Sequence, residues 1–214
     1  MDFTVRRGER VLLCGCNGSG KSTLLNMLGG KQYFDNRAGA LQVLGKPCYE
    51  DMTFIAGVAY GGNWWTRAPA GEVYVRELLS LHTQRARWLC EVLSVNLDWE
   101  VSTISTGERR RVQILLYLLE DKPVVLLDEA TAELDVNQRY ALLKFLYLES
   151  VCRGVTIIYS THIFSGLKCW ANVLIVLDST KSGVHAIRRA SDGEEIDIEY
   201  LTEELIKLKS KEKV

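Results

Sequence analysis

Apolar residues along this chain fall into two rhythms. Short uninterrupted runs at 9–15, 124–127, 155–159 and 173–177 have the length of strands buried on both faces. Between them, 21–28, 107–120 and 140–148 carry apolar side chains at helical spacing, and the second of these stops before Pro123. Strands are also predicted over 41–44 and 53–60, with Gly45-Lys46-Pro47 as the turn between them. Gly61-Gly62 then marks a hinge, and 73–81 and 85–93 read as two helices of a small insert. Near the end, 196–208 is an amphipathic helix before a Lys-rich terminus. Buried strands alternating with helices predict an α/β fold, with a mainly parallel sheet covered on both faces. There is no internal repeat and no low-complexity tract.

Composition narrows the class. The chain has 214 residues, 47% apolar and 25% charged, enough to bury a sizeable core. Lys plus Arg number 26 against 27 Asp plus Glu, so no basic bias points to direct nucleic-acid binding and no acidic bias to disorder. The apolar runs reach only strand length, so membrane insertion is not expected, and the start of the chain lacks a signal-peptide core. The six cysteines suggest neither a disulfide framework nor a zinc site; Cys14-Gly15-Cys16 is too tight for a usual zinc pair. Reduced thiols fit a cytoplasmic protein, with the nucleus as a second compartment.

Candidate chemistry begins at Gly15-Cys16-Asn17-Gly18-Ser19-Gly20-Lys21-Ser22, which fits the phosphate-loop pattern without a mismatch. Its glycines allow a tight turn that aims backbone N–H groups inward, and the following helix adds its positive end. Lys21 would reach the β- and γ-phosphates of a bound nucleotide, and the Ser22 hydroxyl would bind Mg²⁺. Asp128-Glu129 directly follows the 124–127 run, at the strand end that faces the ligand crevice in open α/β sheets. Asp128 would hold Mg²⁺ through water, and Glu129 would polarise a water attacking the γ-phosphate.

With these residues in place, the whole pattern resembles the ABC ATPase family. Ile104-Ser105-Thr106-Gly107-Glu108 resembles the ABC signature Leu-Ser-Gly-Gly-Gln, and Arg109-Arg110-Arg111-Val112-Gln113-Ile114 is similar to the helix behind it. Residues 124–129 resemble the Walker B segment, Ala132-Glu133-Leu134-Asp135 the D-loop, and His162 stands where the switch histidine is expected. The order and spacing cover roughly residues 8 to 180. The resemblance implies a P-loop NTPase core with a small helical subdomain carrying the signature. It implies ATP and Mg²⁺ as cofactors and a head-to-tail dimer with a second ABC subunit, identical or not. Nucleotide contacts would come from Gly15 through Thr23, from Ser105, Thr106, Gly107 and Glu108 acting across the dimer, and from Asp135. Catalysis would fall to Glu129, His162 and Lys21, and metal binding to Ser22 and Asp128. The expected organisation is one ABC domain over 1–180, with the helical subdomain at about 63–110, and a strand and amphipathic-helix tail over 181–214.

Closer likeness is to one soluble eukaryotic subgroup, the ABC ATPases similar to the yeast Ccr-Not-associated protein and to plant I-subfamily members. That likeness implies a regulatory role in a protein complex. Three departures stand out. Gly61-Gly62-Asn63-Trp64-Trp65 holds no Q-loop glutamine, and only Asn63 offers an amide. No aromatic stands where the family's adenine-stacking residue is expected, and Phe3 is a poor substitute. Thr106 replaces a signature glycine and Glu108 the signature glutamine. The Glu108 charge calls for it to point away from the phosphates or to pair with Arg109 or Arg110, while the triple arginine otherwise reads as pairing with acids of the partner lobe or as a solvated helix face. Trp64-Trp65 reads as a partner contact or as packing for the insert. Three functions therefore stand open: a soluble ATPase switch, the ATPase subunit of a transporter, and a non-hydrolysing ATP-gated dimer.

Overall fold

The computed structural model describes residues 3–35, 41–48, 52–62, 64–65, 71–79, 83–178, 183–191 and 194–211. Among them, β1 (Arg10–Gly15), β4 (Val58–Gly61), β5 (Val124–Asp128), β6 (Thr156–Ser160), β7 (Val173–Asp178) and β8 (Gly183–Arg189) form one sheet in the order β4-β5-β6-β1-β7-β8. All neighbours are parallel except β7 and β8, which pair antiparallel. This is the α/β architecture of a P-loop NTPase.

Residues in the central strands alternate between two hydrophobic layers. Leu12, Cys14, Val125, Leu127, Ile157, Tyr159, Leu174 and Val176 face one layer. Val11, Leu13, Val124, Leu126, Ile158, Val173, Ile175 and Leu177 face the other. Apolar residues at every strand position are therefore what a sheet covered on both sides requires. Helix α1 (Lys21–Leu28) covers the second layer with Leu24, Leu25 and Leu28. Helices α3 (Gln84–Val92), α4 (Thr106–Leu118), α5 (Val136–Arg153) and α6 (Ile198–Lys211) contribute buried residues to the first.

Four local expectations change in the folded chain. A 3-10 helix over Met52–Gly57 occupies most of the predicted 53–60 strand, and β4 spans only Val58–Gly61. Its Phe54 and Ile55 pack beneath the end of α1, where the Gly30 backbone leaves room for them. In the preceding hairpin, β2 (Gln42–Val43) pairs with β3 (Lys46–Pro47), so Leu44-Gly45 makes the turn with both φ angles positive. The predicted 73–81 helix shrinks to α2 (Val75–Leu78), and its residues 80 and 81 lie outside the described chain. Instead, Val73 to Arg76 pair with 97–101: Val75 and Arg76 donate their backbone N–H to Trp99 and Leu97, and Val101 donates to Val73. The pairing centres on an antiparallel bridge of Tyr74 with Glu100 just before α2 begins, and the β-branched Val73 and aromatic Tyr74 suit it.

Helix α5 outgrows its predicted 140–148 span at both ends. Asp135 and Gln138 form a capping box at its start, and Gly154 closes it in the left-handed conformation at φ 68°. A Cβ on Gly154 would also stand 2.9 Å from the Arg7 guanidinium.

The insert is fixed to the core through α3. Arg85 pairs with Glu149 of α5 at 2.8 Å, with side-chain exposures of 14% and 4%. Trp88 of α3 lies 4.8 Å from the Phe145 ring. Removing one partner of a buried pair strands the other charge. Glu149→Leu is therefore expected to lower stability by roughly 3 kcal/mol in urea unfolding, and Arg85→Met/Glu149→Leu to recover most of that loss. A double variant as unstable as the single one would mean that packing, not the stranded charge, sets the cost.

Candidate active site

Three neighbouring strands end at one edge of the sheet. In the parallel register Leu13 lies beside Ser160, and Asp128 lies beside Ser160 on its other flank. The loop after β1, the Asp128-Glu129 pair after β5 and the Ser160-Thr161-His162 run after β6 therefore leave the sheet side by side. This is the carboxyl-terminal crevice where open α/β sheets take ligands.

The phosphate loop holds its shape through its backbone. Gly15 sits at φ 152°, and a Cβ there would come within 2.5 Å of the Ser19 Oγ and 2.8 Å of the Leu177 carbonyl oxygen. Gly18 and Gly20 have φ 80° and 92°, and a Cβ at either meets nothing within 4 Å, so the loop faces open space. Lys21 lies across the loop and donates from Nζ to the carbonyls of Gly15 (2.9 Å) and Cys16 (3.0 Å). Helix α1 starts at Lys21 with no side-chain cap, which leaves its first-turn N–H groups without a capping acceptor from Gly20. Asn17, Ser22 and Thr23 are exposed along this rim, whereas Cys16 and Ser19 are buried. Burial pushes the Cys14 thiol up to about 12, with Lys21 pulling against that shift and Glu129 adding to it. The strand beneath the loop thus carries no thiolate to repel an anion at neutral pH.

Glu129 adopts φ 50°, a left-handed conformation that is costly for a side-chain-bearing residue. Its N–H donates to the Ser160 carbonyl at 2.9 Å. One carboxylate oxygen, Oε1, lies 2.9 Å from His162 Nδ1. The other, Oε2, has no hydrogen-bond partner, and neither do Asp128 Oδ1, Ser19 Oγ and Ser160 Oγ. These four buried oxygens belong to the phosphate loop and to the ends of β5 and β6, and they are the kind of ligand set a hydrated Mg²⁺ and a nucleotide would satisfy. The residues present fit a magnesium nucleotide: Ser22 and Asp128 would hold the ion, and the loop amides and Lys21 the phosphates. Ser160 has no role in the sequence patterns; only its place in the β-ladder, between Leu13 and Asp128, brings it here.

The signature residues lie on a different surface feature, the start of α4. Ser105 caps that helix, accepting from the Glu108 N–H at 3.3 Å. In return, Glu108 Oε2 accepts from the Ser105 N–H (2.9 Å) and hydroxyl (2.7 Å), which hold the Glu108 carboxyl below its ordinary range. Glu108 therefore does not take Arg109 or Arg110 as its partner; its nearest cation is Arg111, at 4.0 Å. Gly107 abuts the Glu133 carbonyl, which a Cβ would approach to 2.9 Å. That contact puts the exposed Ser105 and Thr106 next to the exposed Glu133 and Asp135, so the signature and D-loop share one surface. Asp135 itself is spent locally, accepting from the Gln138 N–H at 2.9 Å.

The triple arginine is not a solvated helix face. Arg111 is buried, donates to the carbonyls of Leu93 (3.2 Å) and Ser94 (2.8 Å), and so closes the end of α3. Arg110 stacks on the Trp64 ring at 4.0 Å, and burial lowers its pKa. Trp64 packs edge-on to Tyr117 and donates from Nε1 to the Asp128 carbonyl at 2.9 Å. It packs, partly buried, against the core beside the site. Asn63, the amide offered in place of the glutamine, lies outside the described residues. Phe3 packs partly buried against the second core layer.

Comparison with known proteins matches this geometry to a family. The sequence pattern described as ABC transporter matches residues 1–132, more than half of the chain. The chain is 39% identical over 185 residues to ABC transporter I family member 21 of Arabidopsis thaliana, covering 80% of this chain and 65% of that protein. It is 37% identical over 194 residues to member 20 of the same plant family, covering 84% and 58%. It is 35% identical over 191 residues to CCR4-associated factor 16 of Saccharomyces cerevisiae, covering 80% and 66%. It thus spans between 58% and 66% of the length of these curated relatives. Among solved structures, an ATP-binding subunit of an ABC transporter aligns at a TM-score of 0.75 and 25% identity, covering 95% of this chain and 90% of that one. A dimeric ATP-binding cassette in a post-hydrolysis state with ADP and phosphate shares the fold at a TM-score of 0.68 and 20% identity, covering 87% and 88%. No helix of the described residues is long and apolar enough to cross a membrane. A family match over more than half of the sequence, carried by a shared P-loop fold, makes this protein a member of the ABC transporter family, in its ABC ATPase domain.

Proposed function

We propose that this chain binds ATP with Mg²⁺ and hydrolyses it as a head-to-tail dimer, serving as an ATP-driven switch in a regulatory protein complex. One observation carries the chemistry: Glu129, next to Asp128 at the end of β5, has one carboxylate oxygen committed to His162 and the other buried without a partner. The committed oxygen fixes the carboxylate plane. The free oxygen can accept a proton from a water and orient it toward the γ-phosphate.

Other residues supply positioning and charge. Lys21, now held by two loop carbonyls, would turn toward the β- and γ-phosphate oxygens and keep the loop amides aimed inward. Ser22 and Asp128 would hold Mg²⁺, which when bound offsets charge on the phosphate oxygens. His162 is 75% exposed on its side chain and Glu129 31%, so both can be reached from the face where a second subunit would lie. That subunit's Ser105 and Gly107 would meet the γ-phosphate at the start of α4, with the helix dipole in their favour. To do so the Ser105 hydroxyl must exchange the Glu108 carboxylate for phosphate.

Support for the regulatory role comes from the relatives. One of them is called CCR4-associated factor 16, and the Q-loop glutamine that serves coupling in transporters is missing. A second reading, the ATPase subunit of a transporter, is favoured by the solved transporter subunit at 25% identity. A cytoplasmic location, with the nucleus as a second compartment, follows from the regulatory reading.

Glu129→Gln is expected to cut ATP hydrolysis by at least about a hundredfold while leaving nucleotide binding intact. The same variant should run as a dimer in ATP and as a monomer without it by light scattering. A variant that stays monomeric in ATP would refute the shared-site dimer. Capture of its ATP-bound partners from native cells separates the two roles. Soluble regulatory subunits are expected, and a polytopic membrane protein would establish the transport reading instead.

A further inference from the structure

The peptide unit joining Asp128 to Glu129 carries both carboxylates of the site, and it is held from two sides. Its N–H, on Glu129, donates to the Ser160 carbonyl at 2.9 Å. Its carbonyl, on Asp128, accepts from the Trp64 indole at 2.9 Å. Here the ladder with β4 has run out, because the last β4 pair is Gly61 with Leu127. A side chain therefore replaces the missing strand neighbour. The grip matters because the next residue, Glu129, is in a left-handed conformation that relaxes unless its flanking peptide is fixed.

Trp64 is itself clamped by the helix behind the signature. Arg110 lies over its ring at 4.0 Å, and Tyr117 meets it edge-on at a centroid distance of 5.6 Å. A Cβ on Gly61 would stand 3.3 Å from both Trp64 and Tyr117, so the glycine lets the indole close on the strand end. Both clamping residues belong to α4, whose first turn carries Ser105, Thr106 and Gly107.

We propose that Trp64 is a positioning residue: it sets the Asp128-Glu129 peptide for metal binding and ties that peptide mechanically to the signature helix α4 through Arg110. A displacement of α4 when its first turn engages phosphate would then be felt at Asp128 through one indole. This rests on the reading of Asp128 as a holder of Mg²⁺.

The test uses the full chain with AMP-PNP and Mn²⁺. Free Mn²⁺ is read by electron paramagnetic resonance, and nucleotide affinity is read separately without metal. Trp64→Phe keeps an aromatic ring, though a smaller one, and removes the N–H. It is expected to weaken Mn²⁺ binding to the nucleotide-bound protein by about tenfold, as for other residues that orient a metal ligand. Metal-free AMP-PNP affinity should stay within about twofold, a split that general loosening of the fold would not produce. Arg110→Met, which removes the cation over the indole, should give a smaller loss in the same direction, and it serves alone if the tryptophan variant fails to fold. The double variant should be no worse than Trp64→Phe, since both act through one contact. Unchanged Mn²⁺ affinity, or equal losses with and without metal, would overturn the proposal. If the unaltered chain binds no Mn²⁺ with AMP-PNP, the hydrolase reading falls and takes this inference with it.

Discussion

Strand β6 is the element on which the rest of the site depends. It pairs in parallel with β1 on one side and with β5 on the other, and Ser160 is level with Leu13 and Asp128 at once. In sequence β1 lies more than a hundred residues before β5, and β5 and β6 are separated by the whole of α5. The shared register brings the phosphate loop, the two carboxylates and His162 to one edge. Ser160 also takes the Glu129 N–H, so the strand that aligns the site further fixes its most strained residue. Burial on both faces makes a register slip expensive, because a shift of one residue would exchange the two core layers.

Around that edge, polar groups divide into those satisfied within the fold and those left open. Asp135 and Arg111 Nη1 are committed to helix ends, and the Glu149 carboxylate is shared between Arg85 and Arg153. Asp128 Oδ1, Glu129 Oε2, Ser19 Oγ and Ser160 Oγ are not. Buried polar atoms are ordinarily paired, so a cluster of unpaired ones in a crevice marks where a ligand completes the structure. The signature turn behaves differently. Its Ser-x-x-Glu spacing is a capping box, which holds the start of α4 formed by contacts within the turn itself. Replacing glutamine by glutamate there changes the charge but preserves the cap, since the carboxylate still accepts from Ser105.

Much of this was legible in the chain. Runs of apolar residues at every position identified β1, β5, β6 and β7, because only strands buried on both faces need that composition. The phosphate loop was legible since its glycines and lysine answer to backbone geometry alone. Capping residues also carried readable information that periodicity missed: Asp135 with Gln138, and Gly154, delimit α5 beyond the 140–148 stretch. The 73–81 segment misled because its apolar spacing suits a helix, while pairing with 97–101 offered its backbone a better set of partners.

What the sequence determined by itself was therefore local or periodic: the α/β class, the phosphate loop, the carboxylates after β5 and the signature turn. Tertiary structure alone decided which distant groups meet. The 2.9 Å contact of Glu129 with His162 spans 33 residues, and the indole bond of Trp64 to the Asp128 carbonyl spans 64. The arginines show the difference most plainly. Three adjacent residues of one type look alike in the chain, yet one caps α3, one stacks on Trp64 and one reaches the Ile104 carbonyl. Their directions around α4, 100° apart, send them to different neighbours, and only the packed fold says what those neighbours are.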